Sequence, residues 1–294
     1  MTEQECITML EATGDYRIVR RLKPVEQYCQ DSGAQKHIGI YLDTETTGMN
    51  PDKDSIIEIA LVPFEYDDAG NIYRVFSAYN ALQDPGFPIP HHITEITHIT
   101  NKMVKGQAID WKKVTYLLKD VSIVIAHNAR FDRPFVEKAL SDFENLPWGC
   151  SINDINWNEE GYEGVKLEYL AYKHGFFYEG HRATIDCQAG IEILNATLPL
   201  SGETALKRLL DNAQHVEMRL WAKGAPFDKK DELKNRGYRW SSGEDGQPKA
   251  WYTHIPMDKY VDELQYLSTS IYSEKIHELP TKRIDAKLRY SKRI

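Results

Sequence analysis

Long apolar runs are missing from this 294-residue chain, because nowhere do the roughly 18 apolar residues needed to cross a bilayer follow one another. Its first ten residues, MTEQECITML, do not have the basic segment and apolar core of a signal peptide. Cysteine is also scarce, and Cys6, Cys29, Cys150 and Cys187 have spacings that fit neither a zinc finger nor a redox motif. These absences predict a cytoplasmic protein with free thiols and no membrane partner.

Positive charge is in deficit, with 36 Lys and Arg residues against 44 Asp and Glu residues and a net charge of −8. A protein that binds nucleic acid through its overall field is expected to be basic, so the total argues against such a partner. The charge is unevenly spread, however. Residues 36–200 carry 14 basic and 24 acidic side chains, whereas residues 201–294 carry 18 and 14. This asymmetry indicates two modules with different roles.

Hydrophobic periodicity predicts one α/β sheet domain over residues 36–198. Three strands are expected as an antiparallel meander, at 38–43, 55–66 and 72–80. The continuous apolar run at 121–126 is typical of a buried strand, and 149–155 is a weaker strand candidate. Helical spacing predicts helices at 101–119, 131–141, 167–174 and 183–195. Strands followed by alternating helices and strands indicate a single layered domain.

The two flanks of this domain have a different composition. Residues 1–35 predict an N-terminal extension of two short amphipathic helices broken near Gly14. Residues 199–275 predict a small α+β accessory domain, which begins at a Pro-Leu-Ser-Gly boundary and contains a helix at 204–213, a strand at 217–222, a short basic helix, a hairpin and a closing helix. Residues 276–294 predict a flexible basic tail, since 281–294 holds six basic residues and one acidic residue.

Two carboxylates stand at the end of the first apolar strand. Asp43 and Glu45 lie on the same face of that strand, because side chains alternate with a period of two. Two close carboxylates repel each other and resist ionisation, and a divalent cation removes the repulsion by taking their oxygens as ligands. The alternative is that both are solvated residues at the end of a strand.

Two more aspartates and a histidine follow other predicted elements. Asp132 comes just after the buried strand at 121–126, and Asp186 lies at the start of the last helix of the domain, five residues after His181. Asp132 alone is better explained as a helix cap, and His181 alone could be a surface residue after a glycine turn. The ordered set, however, follows strand ends and helix starts that share one edge of a sheet.

These residues resemble the DEDDh subgroup of the DnaQ-like 3′–5′ exonucleases. The resemblance covers about 38–195, and the family's three acidic motifs correspond to Tyr41–Gly48 (YLDTETTG), His127–Asp132 (HNARFD) and His181–Asp186 (HRATID). The intervening segments at Ile56–Ala60, Ile93–Thr100 and Leu167–Ala171 also resemble the family, although His98 stands where glycine is frequent. The resemblance implies a ribonuclease H-like fold, with a mixed five-stranded sheet flanked by helices.

The resemblance also implies roles for individual residues. Two Mg²⁺ or Mn²⁺ ions would be held by Asp43, Glu45, Asp132 and Asp186, with Asp43 as the bridging ligand. His181 would be the general base, because imidazole can take a proton near neutral pH. Four further residues would contact the substrate strand: Thr46, Thr47, Met49 and Asn128.

The implied function is metal-dependent hydrolysis from the 3′ end of nucleic acid, with release of nucleoside 5′-monophosphates. Single-stranded DNA is the favoured substrate, and RNA trimming is the nearest alternative. Two other readings are a subunit that proofreads or repairs DNA beside a polymerase, and a binding protein with a degenerate nuclease domain. The intact acidic set argues against the degenerate form.

Basic and aromatic residues interleave in the predicted accessory domain. Lys229, Lys230 and Lys234 share this region with Trp240 and Trp251. Stacked rings with basic side chains are typical of single-stranded nucleic acid binding. The alternative is that a domain this small needs its tryptophans as a core.

Overall fold

The structure is a computed structural model that describes residues 1–244, 246–272 and 278–294. It divides into two compact units, Met1–Ala213 and Gln214–Ile294. Among the described residues, no helix combines the length and the apolar character needed to span a membrane. The four-part division expected from the sequence stays a prediction. The first compact unit ends at Ala213, whereas the sequence predicted a domain boundary at residue 198.

The first unit is an α/β layer structure around one central sheet. Its strands are β1 Arg20–Arg21, β2 His37–Thr46, β3 Ile56–Tyr66, β4 Ile72–Val75, β5 Tyr79–Leu82, β6 Val121–Ala126, β7 Trp148–Cys150 and β8 Phe176–Phe177. Its helices are α1 Glu3–Glu11, α2 His91–Thr97, α3 Asn101–Val104, α4 Trp111–Leu117, α5 Ala129–Ala139, α6 Leu167–Lys173, α7 Ala183–Asn195 and α8 Ala205–Gln214.

The central sheet has the mixed topology expected from the sequence. Its order is β4-β3-β2-β6-β7, with β5 also paired to β3. The β2–β3 and β3–β4 pairs are antiparallel, whereas β2–β6 and β6–β7 are parallel. The fold class is therefore confirmed. The predicted number of five strands was wrong, because the strand predicted over 72–80 is interrupted and forms β4 and β5, which both pair with β3 and give the sheet six strands.

Helices cover the sheet and bury its central strands. Ile40 and Leu42 of β2 and Ile57 and Ile59 of β3 are fully buried, as expected for strands covered on both faces. Helix α7 packs against β2 and β3. Helix α8 belongs to the same core through its buried leucines, although the sequence placed this segment in the accessory domain.

The helix predicted over 101–119 is two helices in the structure. Gly106, between α3 and α4, has a φ of +71°, a left-handed conformation that ends a right-handed helix. The chain then re-enters a helix at Asp110, whose side chain accepts a hydrogen bond from the Lys113 amide at 3.2 Å. The single-helix prediction was therefore wrong over 105–110.

The N-terminal extension contains one of the two predicted helices. Thr2 and Glu5 form a reciprocal capping box at the start of α1. The second predicted helix is wrong, because Arg20 and Arg21 form β1 and pair in parallel with β8. The Arg21 guanidinium lies 5.0 Å from the centre of the Phe177 ring, so this contact joins two distant segments of the chain.

The second unit is a small α+β structure. Its antiparallel sheet has the order β10-β11-β9-β12 and consists of β9 Glu217–Ala222, β10 Arg239–Ser241, β11 Ala250–Pro256 and β12 Thr281–Ile284. Its helices are α9 Lys230–Asn235 and α10 Tyr260–Tyr266, and short 3₁₀ or π turns extend both. Buried residues from the sheet and the helices, including Leu220, Leu233 and Leu267, form a separate core.

The basic tail predicted over 276–294 is ordered from residue 278 onward, whereas residues 276 and 277 lie outside the described residues. Strand β12 pairs with β9, which places Thr281 opposite Leu220. Ile284 is fully buried and Tyr290 is nearly so. The expectation of a flexible tail was wrong for this segment, because apolar residues between the basic ones supply buried side chains.

Candidate active site

The predicted catalytic residues meet at one edge of the central sheet. Strands β2 and β6 are parallel neighbours, so their carboxyl ends lie side by side. Asp43 and Glu45 are at the end of β2, Asp132 is in the first turn of α5 after β6, and Asp186 is in the first turn of α7. These four carboxylates, His181 and Asn128 line a common cleft of about 350 Å³.

Three of the carboxylates form a tight group. Oxygen atoms of Asp43, Glu45 and Asp186 lie within 4.8 Å of one another. Asp132 is buried beside them, and its Oδ1 accepts hydrogen bonds from the Thr44 amide at 3.1 Å and from Thr44 Oγ1 at 2.8 Å. Strand β2 therefore supplies the carboxylates of Asp43 and Glu45. Thr44, which lies between them, orients the carboxylate of Asp132.

Burial raises the pKa values of these acids, and for Asp43 and Glu45 the charges of neighbouring carboxylates raise them further. Burial raises the pKa of Glu45 to about 8, and the charges of Asp186, Glu58 and Asp132 add to this effect. The pKa of Asp43 is raised well above its ordinary range by burial and by the charge of Asp132. Burial also raises the pKa of Asp186, while the hydrogen bond from the Arg182 amide and the nearby His181 oppose the rise.

This donor set fits a divalent cation. Carboxylate oxygens are hard ligands that suit Mg²⁺ or Mn²⁺ better than Zn²⁺. A divalent cation would also offset the repulsion among Asp43, Glu45 and Asp186, whose oxygens already lie within reach of one ion. The acidic cluster is therefore suited to bind metal, as the sequence predicts.

The loop before α7 presents His181 at the rim of the cleft. His181 is exposed and has a φ of +64°, in the left-handed region that few residues other than glycine adopt. The next residue, Arg182, donates its backbone N–H to Asp186 Oδ2 at 3.0 Å. The backbone of the loop thus orients an acidic group and presents an imidazole on the same cleft.

The predicted substrate-contacting residues differ in their exposure. Asn128 is exposed in the cleft, with a left-handed φ of +74° where the chain enters α5. Thr46 and Thr47 are buried, and their hydroxyls are engaged within the turn, with Gly48 O at 2.6 Å and with the Ser55 amide at 3.0 Å. Met49 follows the turn and is 78% exposed.

Sequence reasoning missed Glu58 and gave no role to His127. Glu58 is fully buried on β3, directly across from Glu45. A glutamate within the apolar run of β3 was the available signal. His127 lines the cleft, and its Nδ1 lies 2.8 Å from Ser151 Oγ. Burial lowers the pKa of His127 to about 4, which keeps this imidazole neutral.

Comparison with known proteins agrees with this geometry. Residues 40–194, more than half of the chain, match the model of the RNase_T family, described as Exonuclease. The chain belongs to this exonuclease family. The predicted family and the enzyme class, exonuclease, are thereby confirmed, while the DEDDh subgroup stays a prediction.

Two bacterial DNA polymerase III proteins are among the relatives of this exonuclease domain. The chain is 33% identical over 186 residues to the PolC-type DNA polymerase III of Clostridium perfringens, a match that covers 58% of this chain and 12% of the relative. It is 29% identical over 165 residues to the DNA polymerase III subunit epsilon of Treponema pallidum, a match that covers 53% of this chain and 74% of the relative. The chain thus spans a small fraction of the PolC-type polymerase.

A solved structure with a similar fold is that of Escherichia coli exonuclease I in complex with a 5cy-dT13 oligonucleotide. The match has a TM-score of 0.50 at 14% identity and covers 76% of this chain and 64% of that chain. At this identity, the similarity supports the fold alone.

Proposed function

We propose that this member of the exonuclease family is a metal-dependent 3′–5′ exonuclease that releases nucleoside 5′-monophosphates, with single-stranded DNA as the favoured substrate. The observation that supports this function best is the convergence of Asp43, Glu45 and Asp186 oxygens within 4.8 Å, in a cleft that His181 also lines. Acidic side chains crowded in this way cost stability unless they bind a cation, so function is the simplest reason for their placement.

In this proposal, Asp43, Glu45, Asp132 and Asp186 hold two Mg²⁺ or Mn²⁺ ions. When bound, the ions supply positive charge that stabilises the developing charge on the phosphate and on the leaving oxygen. The Thr44 hydrogen bonds hold Asp132 in one orientation, and the Arg182 amide does the same for Asp186. The chain thus orients its ligands before substrate arrives.

His181 is proposed as the general base. Its exposed ring lies at the cleft, where it can accept a proton from the attacking water. His127 is a poor candidate for this role, because its ring is tied to Ser151 and burial lowers its pKa to about 4.

Contacts with the 3′ end are proposed for the turn after β2 and for the cap of α5. Thr46 and Thr47 keep the turn in shape through their hydroxyls, and the turn exposes Met49 as an apolar surface for the terminal base. Asn128 offers its amide side chain from the lining of the cleft that holds the carboxylates. Main-chain contacts of Thr46 and Thr47 near the 3′-OH are part of the same proposal.

End-labelled oligonucleotides test this function directly. DNA and RNA strands, single- and double-stranded, would be incubated with the full chain and Mg²⁺ or Mn²⁺, and the products separated by size. A 5′ label should give a ladder that shortens from the 3′ end, and a 3′ label should appear first as mononucleotide. Equal or faster degradation of RNA would support the alternative, RNA trimming, and hydrolysis that persists in excess EDTA would refute the metal-dependent mechanism.

A second candidate is proofreading or repair beside a polymerase. Its support is the similarity to proteins named as a PolC-type DNA polymerase III and a polymerase III epsilon subunit. The discriminating experiment compares release of a mismatched 3′ nucleotide by the chain alone with release in the presence of its host's replicative polymerase. Full activity of the isolated chain would weaken this candidate.

We also propose that the second unit adds affinity for nucleic acid. Its sequence carries 16 Lys and Arg residues against 12 Asp and Glu residues, and Trp240 is 53% exposed with its ring 5.7 Å from that of Trp251. Trp221, in contrast, is buried as a core residue. The test is a chain that ends at His215 and so keeps α8, whose leucines belong to the core of the first unit. Unchanged KM and salt dependence on long single strands would refute this role.

A further inference from the structure

Glu58 is a fully buried carboxylate of β3 that accepts hydrogen bonds from three residues, one on β5 and two at the start of α7. Its Oε1 accepts from Asn80 Nδ2 at 3.0 Å and from Arg182 Nη2 at 3.0 Å. Its Oε2 accepts from Arg182 Nε at 3.3 Å and from the Ala183 amide at 3.2 Å. Both oxygens are therefore occupied by donors, and the charge is balanced by one guanidinium.

We propose that Glu58 is a positioning residue for the exonuclease reaction. It holds Arg182 and the first turn of α7, and through them it keeps His181 and Asp186 at the metal-binding cleft. The inference rests on the proposed function, since His181 and Asp186 are assigned their roles there.

The start of α7 explains why a carboxylate from the sheet is needed. The cap residue of α7 is Arg182, whose side chain makes no capping hydrogen bond. The first N–H groups of a helix lack partners within the helix and favour negative charge. Glu58 accepts the Ala183 amide, so strand β3 supplies the cap that the helix sequence does not.

Arg182 connects this cap to the cleft. Its guanidinium is bound to Glu58, while its backbone N–H donates to Asp186 Oδ2 at 3.0 Å. His181 is the preceding residue and holds a left-handed φ of +64°, so any shift of Arg182 moves both functional groups. The Glu58 side chain thereby fixes the position of the motif His181–Asp186.

The register of the sheet links Glu58 to the metal ligands as well. Glu58 pairs directly with Glu45 across β2 and β3, so the two side chains leave the same face of the sheet. The acidic oxygens that converge within 4.8 Å are those of Asp43, Glu45 and Asp186, whereas Glu58 is turned toward Arg182 and Ala183. We therefore assign Glu58 to positioning rather than to direct metal binding.

The test uses the full chain with Glu58→Gln, in which the side chain keeps its size but presents an NH₂ donor to groups that are themselves donors. Arg182→Lys is the second variant, because lysine keeps the charge and loses the two-nitrogen contact. Glu65→Gln on the same strand is the matched control. Changes in groups that orient metal ligands typically cost about 10- to 100-fold in activity or metal affinity.

We expect both variants to lower kcat about 10- to 100-fold while KM for a labelled oligonucleotide changes less than about twofold. In the His181→Ala background, Glu58→Gln should lower kcat by a smaller factor than in the parent, because the part of its effect that acts through His181 is already lost and only the part that acts through Asp186 remains. Amide hydrogen exchange should increase over residues 181–186 in both variants and stay at parent values in the control.

Unchanged exchange over 181–186, or a kcat loss that is fully additive with His181→Ala, would overturn the positioning role. The exchange measurement separates this inference from the proposed function. A parent chain that releases no nucleotide, but whose exchange at α7 still responds to Glu58→Gln, would refute the function and keep the structural role. If Glu58→Gln fails to fold, Arg182→Lys carries the same two measurements.

Discussion

Tyr41 lies so close to Gly190 that a methyl group on this glycine would stand 2.0 Å from the Tyr41 ring carbon Cζ. Tyr41 precedes Asp43 by two residues on β2, and Gly190 follows Asp186 by one turn on α7. The absence of a side chain at residue 190 thus lets α7 approach β2 at the point where both supply carboxylates to the cleft.

Gly190→Ala should therefore destabilise the first unit. Alanine favours a helix over glycine by about 1 kcal/mol, but overpacking a core of this kind costs about 1–3 kcal/mol or more, so the net effect is unfavourable. Urea unfolding measures the difference. Gly164→Ala is the control, because a Cβ there meets nothing nearer than 3.6 Å. A Gly190→Ala protein as stable as its parent would contradict the close approach.

Asp43→Asn should abolish nucleotide release without loss of the fold. Removing one charge from the cluster relieves repulsion on buried neighbours, so the variant should melt at a higher temperature than the parent in EDTA. Circular dichroism and a nucleotide-release assay test both parts. Clear residual nucleotide release by the variant would contradict the role of Asp43 in the reaction, and a lower melting temperature in EDTA would contradict the repulsion within the acidic cluster.

The metal-free protein should lose stability as pH rises. Burial raises the pKa of Glu45 in the folded protein from 4.5 to about 8. The folded state therefore binds a proton that the unfolded state releases, so the contribution of Glu45 to the free energy of unfolding is fully present below pH 4.5 and is lost as pH rises toward 8. Melting temperatures of the parent and of Glu45→Gln in EDTA should diverge across this window, in favour of the variant. Mg²⁺ should stabilise the parent more at pH 8 than at pH 5.5, and a parent curve parallel to that of the variant would contradict the raised pKa.

His181→Ala should lower kcat by about 10²- to 10⁴-fold, the usual contribution of a general base. The Mn²⁺ concentration for half-maximal activity should change less than about twofold, because the imidazole is not assigned to the metals. His92→Ala, at another exposed histidine, serves as control. Equal turnover in variant and parent at neutral pH would remove His181 as the base.

Ile284→Ala should destabilise the second unit by about 2–5 kcal/mol, because this side chain is fully buried at the end of β12. Limited proteolysis should then cleave within 214–294 while residues 1–213 stay intact. Arg283→Ala is the neighbouring exposed control. Equal protease resistance of the two variants would restore the expectation of a flexible tail.

Local sequence signals were sufficient for the sheet and its acidic edge. Apolar runs predicted β2, β3 and β6, and acidic residues at their ends and at helix starts predicted the cluster, because both features depend on a few neighbouring residues. The prediction of one helix over 101–119 was wrong because Gly106 adopts a left-handed conformation, which ends the helix despite the helical spacing of apolar residues.

The remaining features depend on contacts between distant residues. Within the described residues, strand β1 pairs with β8 alone and strand β12 with β9 alone, and both partners are distant in the sequence. Glu58 accepts a hydrogen bond from Arg182, which lies 124 residues further along the chain, and no local sequence pattern predicts this contact. A glutamate inside an apolar strand predicts that some partner exists, but only the fold identifies it.

The late pairing of β12 also bears on how the chain is made. Strand β9 cannot pair with β12 until the segment around Thr281 has been synthesised. Until then, β9 forms an unpaired edge of the sheet. An unpaired edge can recruit strands from other chains, and domains fold as their segments leave the ribosome. The second unit is therefore most exposed to aggregation during synthesis, and pauses in translation between residues 257 and 280 would lengthen that interval.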